Sequence, residues 1–310
     1  MIPYENNIPR CMRRGMLIDL HTHSTASDGE LRPAELVAAA KESGVSILAL
    51  TDHDTFSGLD EAATAAKNAE IIFVPGIELN VSWPSGEFHL LGLGLKSICE
   101  ELEEITRQLQ GGRKSRNQKI LQKMAEAGHD VSYEEFVSLS GGEGREDTLG
   151  RPHLASYFVK KNIVRKTQAA FDRFLGKSAP FYIERQGSDL DEAIFAIKKS
   201  GGVPVIAHPL SLYVSWGKIA DILREIKSRG VQGLEAWHPG AREADCRRLE
   251  HLARELGFFV TAGSDFHGKS VRADRRLGIT AGNIHIPERY YYDELLPALE
   301  SVTASFGRKK

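Results

Sequence analysis

Eleven histidines occur in this chain of 310 residues. Six of them, His21, His23, His53, His89, His208 and His267, sit at or beside the ends of apolar, β-like runs, and three acids, Asp28, Glu78 and Asp265, sit among them. The runs are LIDLHTHSTASDG (17–29), ILALTDHD (47–54), IIFVPGIE (71–78), EFHLLGLG (87–94), VPVIAHP (203–209) and FFVTAGSDFHG (258–268). Imidazoles and carboxylates pooled without sulfur suit several hard or borderline divalent cations. Closely spaced cations of that kind hold phosphate oxygens and generate a hydroxide from water, so the expected chemistry is hydrolysis.

Each motif alone has a plain structural explanation. His21 and His23 are two apart, so on a strand both rings point the same way, yet an HxH is also an ordinary loop sequence. Asp28-Gly29 reads equally as a turn. His53 follows ILAL between Asp52 and Asp54, and a neighbouring acid can orient a ligating ring. Glu78 closes an apolar run, where an unpaired carboxylate is costly to bury and calls for cations. His89, inside EFHLLGLG, competes with a hydrogen-bonded core histidine. Asp265 and His267 are again two apart. What favours the joint reading is placement at the C-terminal ends of successive strands, where α/β barrels build their sites.

The elements that must position these residues follow one grammar of short apolar strand, loop and helix. Strands are expected at 16–20, 46–50 and 71–75, with helices near 33–43 and 58–69; Pro33 suits a first helical turn and Gly44 a position just past a helix end. A second stretch has helices near 189–200, 216–229 and 241–256 and strands at 203–207, 231–237 and 258–262, with LGIT (277–280) as one more strand. Ser188 or Asp189 would cap the first of these helices, and Gly201-Gly202 would stop it. Continuous apolar strands alternating with helices imply parallel strands covered by helices. Residues 97–187 differ: they are polar and helical, with Ile120, Leu121 and Met124 on one apolar face. The expected organisation is an extension at 1–15, barrel parts at 16–96 and 188–310, and a mostly helical insertion at 97–187 capping the barrel.

Composition excludes several classes. A net charge of −2 gives no global field toward nucleic acid or anionic lipid. Three scattered cysteines, Cys11, Cys99 and Cys246, fit neither a disulfide framework nor a thiolate metal site and point to a reducing cytoplasm. No run is long enough to span a bilayer, and MIPYENNIPRCMRRG lacks the apolar core of a signal peptide.

The motifs DLHTHSTASDG, ALTDHDT, PGIEL, AHP and GSDFHG, in that order, resemble the PHP (polymerase and histidinol phosphatase) family of metal-dependent phosphoesterases. The resemblance covers roughly residues 16–95 and 189–285. It implies a distorted seven-stranded β/α barrel with a trinuclear site: one metal on His21, His23, Glu78 and Asp265, a second on Glu78, His89 and His208, and a third on Asp28, His53 and His267. Glu78 would bridge two of them. Mn²⁺ is the metal suggested first, with Fe²⁺ or Zn²⁺ as alternatives. Many members carry a histidine where this chain has Asp28. That aspartate and the long insertion resemble the branch acting on nucleoside 3′,5′-bisphosphates and, 5′ to 3′, on short RNA.

A phosphate ester also wants fixed cationic donors, and arginine offers a bidentate fork. Arg151 in GRPHLA and Arg185 in PFYIERQ are the candidates, and His153 is a candidate near the leaving group. Trp83, Phe181, Tyr182 and Trp237 could stack on a base, though aromatic residues are commonly core, and none is singled out. His238 matches no ligand motif and is left out; His129, His251 and His285 read as surface positions. The expected substrate is a nucleotide or short oligonucleotide, with no membrane, no stable nucleic-acid complex and no obligate protein partner. The alternatives are a histidinol-phosphate phosphatase, a C–N hydrolase of the amidohydrolase type, which would use a bridging carboxylated lysine, and a non-catalytic metal-binding module.

Overall fold

In the computed structural model the described residues are 15–142, 144, 146, 148–184 and 186–307, with side chains described as far as 302. The expected N-terminal extension, apart from Gly15, and with it Cys11, lies outside them, as does Arg185.

The chain divides into two compact units, 1–105 with 188–310, and 106–187. The second begins later than the insertion expected from position 97, and residues 97–105 go with the first unit.

The first unit opens with β1 (Leu17–Asp19), α1 (Pro33–Glu42), β2 (Val45–Leu50), α2 (Leu59–Ala69), β3 (Ile72–Val81) and β4 (Phe88–Leu93). Then α3 (Glu100–Glu126) carries the chain into the second unit, which holds α4 (Tyr133–Leu139), α5 (Arg151–Lys160) and α6 (Thr167–Ala170). The first unit resumes with α7 (Leu190–Lys199), β5 (Val203–Ile206), α8 (Ile219–Ser228), β6 (Gly233–Trp237), α9 (Glu243–Glu255) and β7 (Phe259–Ala262). It ends with β8 (Ile279–Thr280), β9 (Ile284–His285) and α10 (Leu296–Gly307).

The helix starts follow their sequence signals. Pro33 occupies the first turn of α1, and Gly44 beyond it takes a φ of +80°, as a helix stop requires. Asp189 caps α7 by accepting from Asp191 N at 2.8 Å and Glu192 N at 3.1 Å.

β1 to β7 form one mostly parallel seven-stranded sheet in sequence order. Its strands are buried on nearly every residue, as expected where helices cover a parallel sheet. Leu36, Val37, Ala40, Ala62 and Ala66 of α1 and α2 pack in one apolar cluster with Leu48, Leu50 and Phe73 of the sheet.

Two expectations need correction. β4 runs antiparallel to both β3 and β5. A short connection, 82–87, joins β3 to β4, and so brief a link allows only a hairpin-like reversal. The strand expected at LGIT is shorter, Ile279–Thr280, and it pairs with Ile284–His285 in a separate two-stranded sheet.

The second unit is helical, with no strand among its described residues. The apolar face of Ile120, Leu121 and Met124 packs with Phe136, Leu154, Tyr157, Phe158 and Phe174 in a core of its own. Full burial of each such side chain contributes about 1.5–3 kcal/mol, which gives this unit its own driving force for folding.

Candidate metal centre

Strand direction decides which ligand arrives from where. The parallel strands β1, β2, β5 and β7 are each followed by site residues: His21 and His23, His53, His208, and Asp265 and His267. Because β4 is reversed, its contribution comes from its beginning, and His89 is its second residue. β3 continues past Glu78 to Val81, so that carboxylate lies within the strand rather than at its end.

All nine residues picked from the sequence come together, and all are buried or nearly so. Glu78, fully buried, is the hub. Its Oε1 lies 3.0 Å from both His89 Nδ1 and His208 Nε2 and 3.5 Å from His21 Nε2; its Oε2 lies 2.8 Å from His53 Nδ1 and 3.3 Å from His23 Nε2. Asp265 Oδ1 lies 3.6 and 3.4 Å from the Nε2 atoms of His21 and His23. Asp28 Oδ1 is 3.4 Å from His267 Nε2, and its Oδ2 is 4.0 Å from His53 Nε2.

Four sets have donor atoms converging tightly enough for a shared cation: His23, Asp28, His53 and His267; His21, Glu78 and His208; His21, His23 and Asp265; and His53, Glu78 and His89. The donor set fits divalent metals. Nδ1 of His23, Nδ1 of His53 and Oε2 of Glu78 are buried without a hydrogen-bond partner, although the last two are 2.8 Å apart. Buried lone pairs left unpaired are costly, and a cation satisfies them.

The site's charges pair strongly: burial works to lower the pKa of His21, His208 and His267, but the acids beside them raise all three. Burial works to raise the pKa of Glu78, but the charges of His53, His89 and His21 outweigh it and hold the carboxyl far below its ordinary range. Asp265 behaves likewise against His267 and hydrogen bonds from His23 and His238. Burial pushes the His23 imidazole down to about 3, with the charges of His267 and His53 adding to the effect, so this ring stays neutral as a ligand must be.

Local backbone reinforces the arrangement. His208 and Asp265 both have positive φ, +27° and +52°, which costs free energy in non-glycine residues and is tolerated where surrounding structure imposes it. In the loop after β1, a Cβ on Gly29 would meet the carbonyl oxygen of His23 at 2.6 Å. Only glycine lets the loop turn back so closely to carry Asp28 inward.

Three sequence inferences change. Asp52 and Asp54 hold the loop and strand groups that flank His53. Asp52 accepts from Ser24 N at 2.8 Å and from the hydroxyls of Ser24 and Ser27, both at 2.6 Å, pinning the loop that bears Asp28. Asp54 accepts from Asn80 N at 2.9 Å. His238, left out of the sequence set, belongs to the cluster: its Nε2 is 3.1 Å from Asp265 Oδ2. Glu235 was also missed, and its Oε1 takes His21 Nδ1 at 2.9 Å. The signal was present in GLEAWH, a buried strand with an acid inside it and a histidine just after it. His129 is half-buried, beside the rings of Phe174 and Phe181, rather than a surface residue.

Arg151 and His153 lie in the second unit, at the start of α5. Arg151 donates to Ile183 O at 3.0 Å and stacks over Tyr182, and His153 Nδ1 accepts from Gly150 N at 3.0 Å. The stacking candidates have structural neighbours: Trp237 donates to Glu250, Phe181 packs against the second core, and Trp83 meets Phe88 edge-on. No helix in the described residues is long and apolar enough to cross a membrane.

Residues 19–186 match the PHP domain, more than half of the chain. A 5′-3′ exoribonuclease of Haemophilus influenzae is 34% identical over 80% of this chain and 89% of its own length. A 3′,5′-nucleoside bisphosphate phosphatase of Chromobacterium violaceum is 31% identical over 81% of this chain and 87% of its own. Among solved structures, one described as an amidohydrolase from Chromobacterium violaceum, with bound sulfate and no metal, superposes with a TM-score of 0.78 at 29% identity, covering 92% of this chain and 96% of that one. On this likeness in sequence and fold, the chain belongs to the PHP domain family.

Proposed function

We propose that this protein removes a phosphate from nucleoside 3′,5′-bisphosphates and trims short RNA from its 5′ end, using divalent cations held by Glu78 and the eight side chains around it. The enzyme class is that of its relatives, phosphoric ester hydrolases. The observation that carries the reading is the convergence of His21, His23, Asp28, His53, Glu78, His89, His208, Asp265 and His267, with buried donor atoms left for a cation to satisfy.

The three-metal arrangement, with Mn²⁺ first, is part of the proposal. It distributes the ligands as His21, His23, Glu78 and Asp265; Glu78, His89 and His208; and Asp28, His53 and His267. Bound cations would supply Lewis acidity and an activated water. The chain's own part is to hold the carboxylates ionised and, by burial, the His23 and His89 rings neutral. Arg151 and Arg185 are proposed to take substrate phosphate oxygens, His153 to serve the leaving group, and the insertion to select the substrate. The seven strands are read as a distorted barrel, a reading supported by bonds from Asp265 N to His21 O and from His23 N to Phe266 O, both 2.9 Å, beyond the ends of β7 and β1. The free thiols of Cys99 and Cys246 support a reducing, cytoplasmic compartment.

A second reading, C–N hydrolysis, is kept by the amidohydrolase description of a structural neighbour. Against it, a strand glutamate rather than a lysine holds the centre of the cluster. The deciding experiment is phosphate release, with added Mn²⁺, from adenosine 3′,5′-bisphosphate and from histidinol phosphate, alongside ammonia or amine release from an amide panel. Turnover of the bisphosphate, lost in His53→Ala, is expected. Turnover of an amide alone would replace the proposal.

A further inference from the structure

β6 is the one strand of the seven that neither contains one of the nine residues nor leads directly into one, yet it lies between β5 and β7, which lead to His208 and Asp265. Glu235, in its middle, is buried, as is His238 one residue past its end. Both oxygens of Glu235 are engaged: Oε1 with His21 Nδ1 at 2.9 Å, and Oε2 with the backbone N–H of His208 at 2.8 Å. In the neutral, ligating form of His21, a carboxylate at Nδ1 keeps the proton there and turns the Nε2 lone pair toward Glu78 and Asp265. His238 is fixed in the same way. Its Nδ1 accepts from Gly240 N at 3.0 Å, so its proton sits on Nε2 and is donated to Asp265 Oδ2 at 3.1 Å. That leaves Asp265 Oδ1 to face His21 and His23. With both of its nitrogens occupied, His238 is not itself a ligand.

We propose that β6 is a positioning strand, in which Glu235 and His238 hold His21, His208 and Asp265 in ligating geometry and so set metal affinity. This rests on the metal reading above. Outer partners of this kind typically change metal affinity or activity 10–100-fold.

The test strips the full-length protein with a chelator and titrates it with Mn²⁺ calorimetrically. It compares wild type with Glu235→Gln, His238→Leu, His238→Gln and, as control, Glu255→Gln, whose carboxylate makes an exposed pair with His251. A glutamine at 235 can accept only one of the two N–H groups. Expected is Mn²⁺ affinity weakened about 10–100-fold in Glu235→Gln and His238→Leu. His238→Gln, which can still donate to Asp265, should lose less, and the control should match wild type. The metal-free melting temperatures should stay together, and saturating Mn²⁺ should restore phosphate release, because the defect is in occupancy. Wild-type Mn²⁺ affinity in both Glu235→Gln and His238→Leu would overturn the inference while leaving the metal centre intact. Should Glu235→Gln fail to fold, the leucine and glutamine variants at 238 decide alone. A wild-type protein that binds no Mn²⁺ would overturn the metal reading and this inference with it.

Discussion

Gly263 sits directly behind His21: a Cβ at position 263 would lie 2.3 Å from the His21 Cβ and 2.8 Å from Glu235 Oε1. The His21 Cβ moves only with its backbone, and the Glu235 carboxylate is held by His21 Nδ1 and His208 N, so Gly263→Ala must shift the backbone that carries His21. Overpacking of this kind costs about 1–3 kcal/mol of stability. A fall in melting temperature together with weaker Mn²⁺ binding is the expected result. A variant with both unchanged would show that the site tolerates movement of β1.

Removing the hub should be more severe. Glu78→Gln keeps the shape and removes the charge that faces His21, His23, His53, His89 and His208. Phosphate release should drop by about 100-fold or more at saturating Mn²⁺, since loss of a direct ligand exceeds the 10–100-fold typical of outer partners. Steady-state kinetics in excess Mn²⁺ check it, and wild-type turnover would remove Glu78 from the centre.

Metal and folding should be linked. A ligand that binds only the folded state at a hundredfold excess over its Kd adds about 2.7 kcal/mol. For a domain of this size that moves the melting temperature by roughly 5–10 °C. Thermal melts with chelator, then with Mn²⁺ restored, should show this shift reversibly. The effect should fade as pH falls, because protonated imidazoles cannot ligate. A chelator-insensitive melting curve at neutral pH would contradict the linkage.

The insertion offers a pH signature away from the metal centre. Glu135 is held below its ordinary pKa by a hydrogen bond from Lys161 and then by one from the Tyr157 hydroxyl, at 2.9 and 2.8 Å. A depressed folded-state pKa contributes stability above the unfolded value and loses it as pH falls through the folded one. Glu135→Gln should therefore melt earlier than wild type at pH 7, and the difference should shrink steadily below about pH 4.5. A gap that is independent of pH would mean that the carboxylate charge is not what matters.

Arg151 is tied to Ile183 O and lies over Tyr182, so its guanidinium is already oriented. Arg151→Ala should raise KM for a bisphosphate about tenfold or more, the order expected for losing a charge-assisted phosphate contact. An unchanged KM would return Arg151 to a purely structural role.

The sequence by itself determined the repeated strand–loop–helix order, the helix starts at Pro33 and Asp189, and the nine side chains that gather with Glu78 at their centre. Those readings depend on local periodicity and on residue types that are costly to bury alone, and both are written in the neighbouring residues. Only the tertiary structure decided the direction of β4, because the sequence pattern did not show that β3 runs on to Val81 and leaves only 82–87 for the reversal. Nor could sequence show what Asp52 and Asp54 hold, since a side chain's partner depends on which loop folds over it. The same holds for Glu235 and His238: they reach His21, His208 and Asp265 across neighbouring strands, and contacts between strands have no spacing along the chain to reveal them.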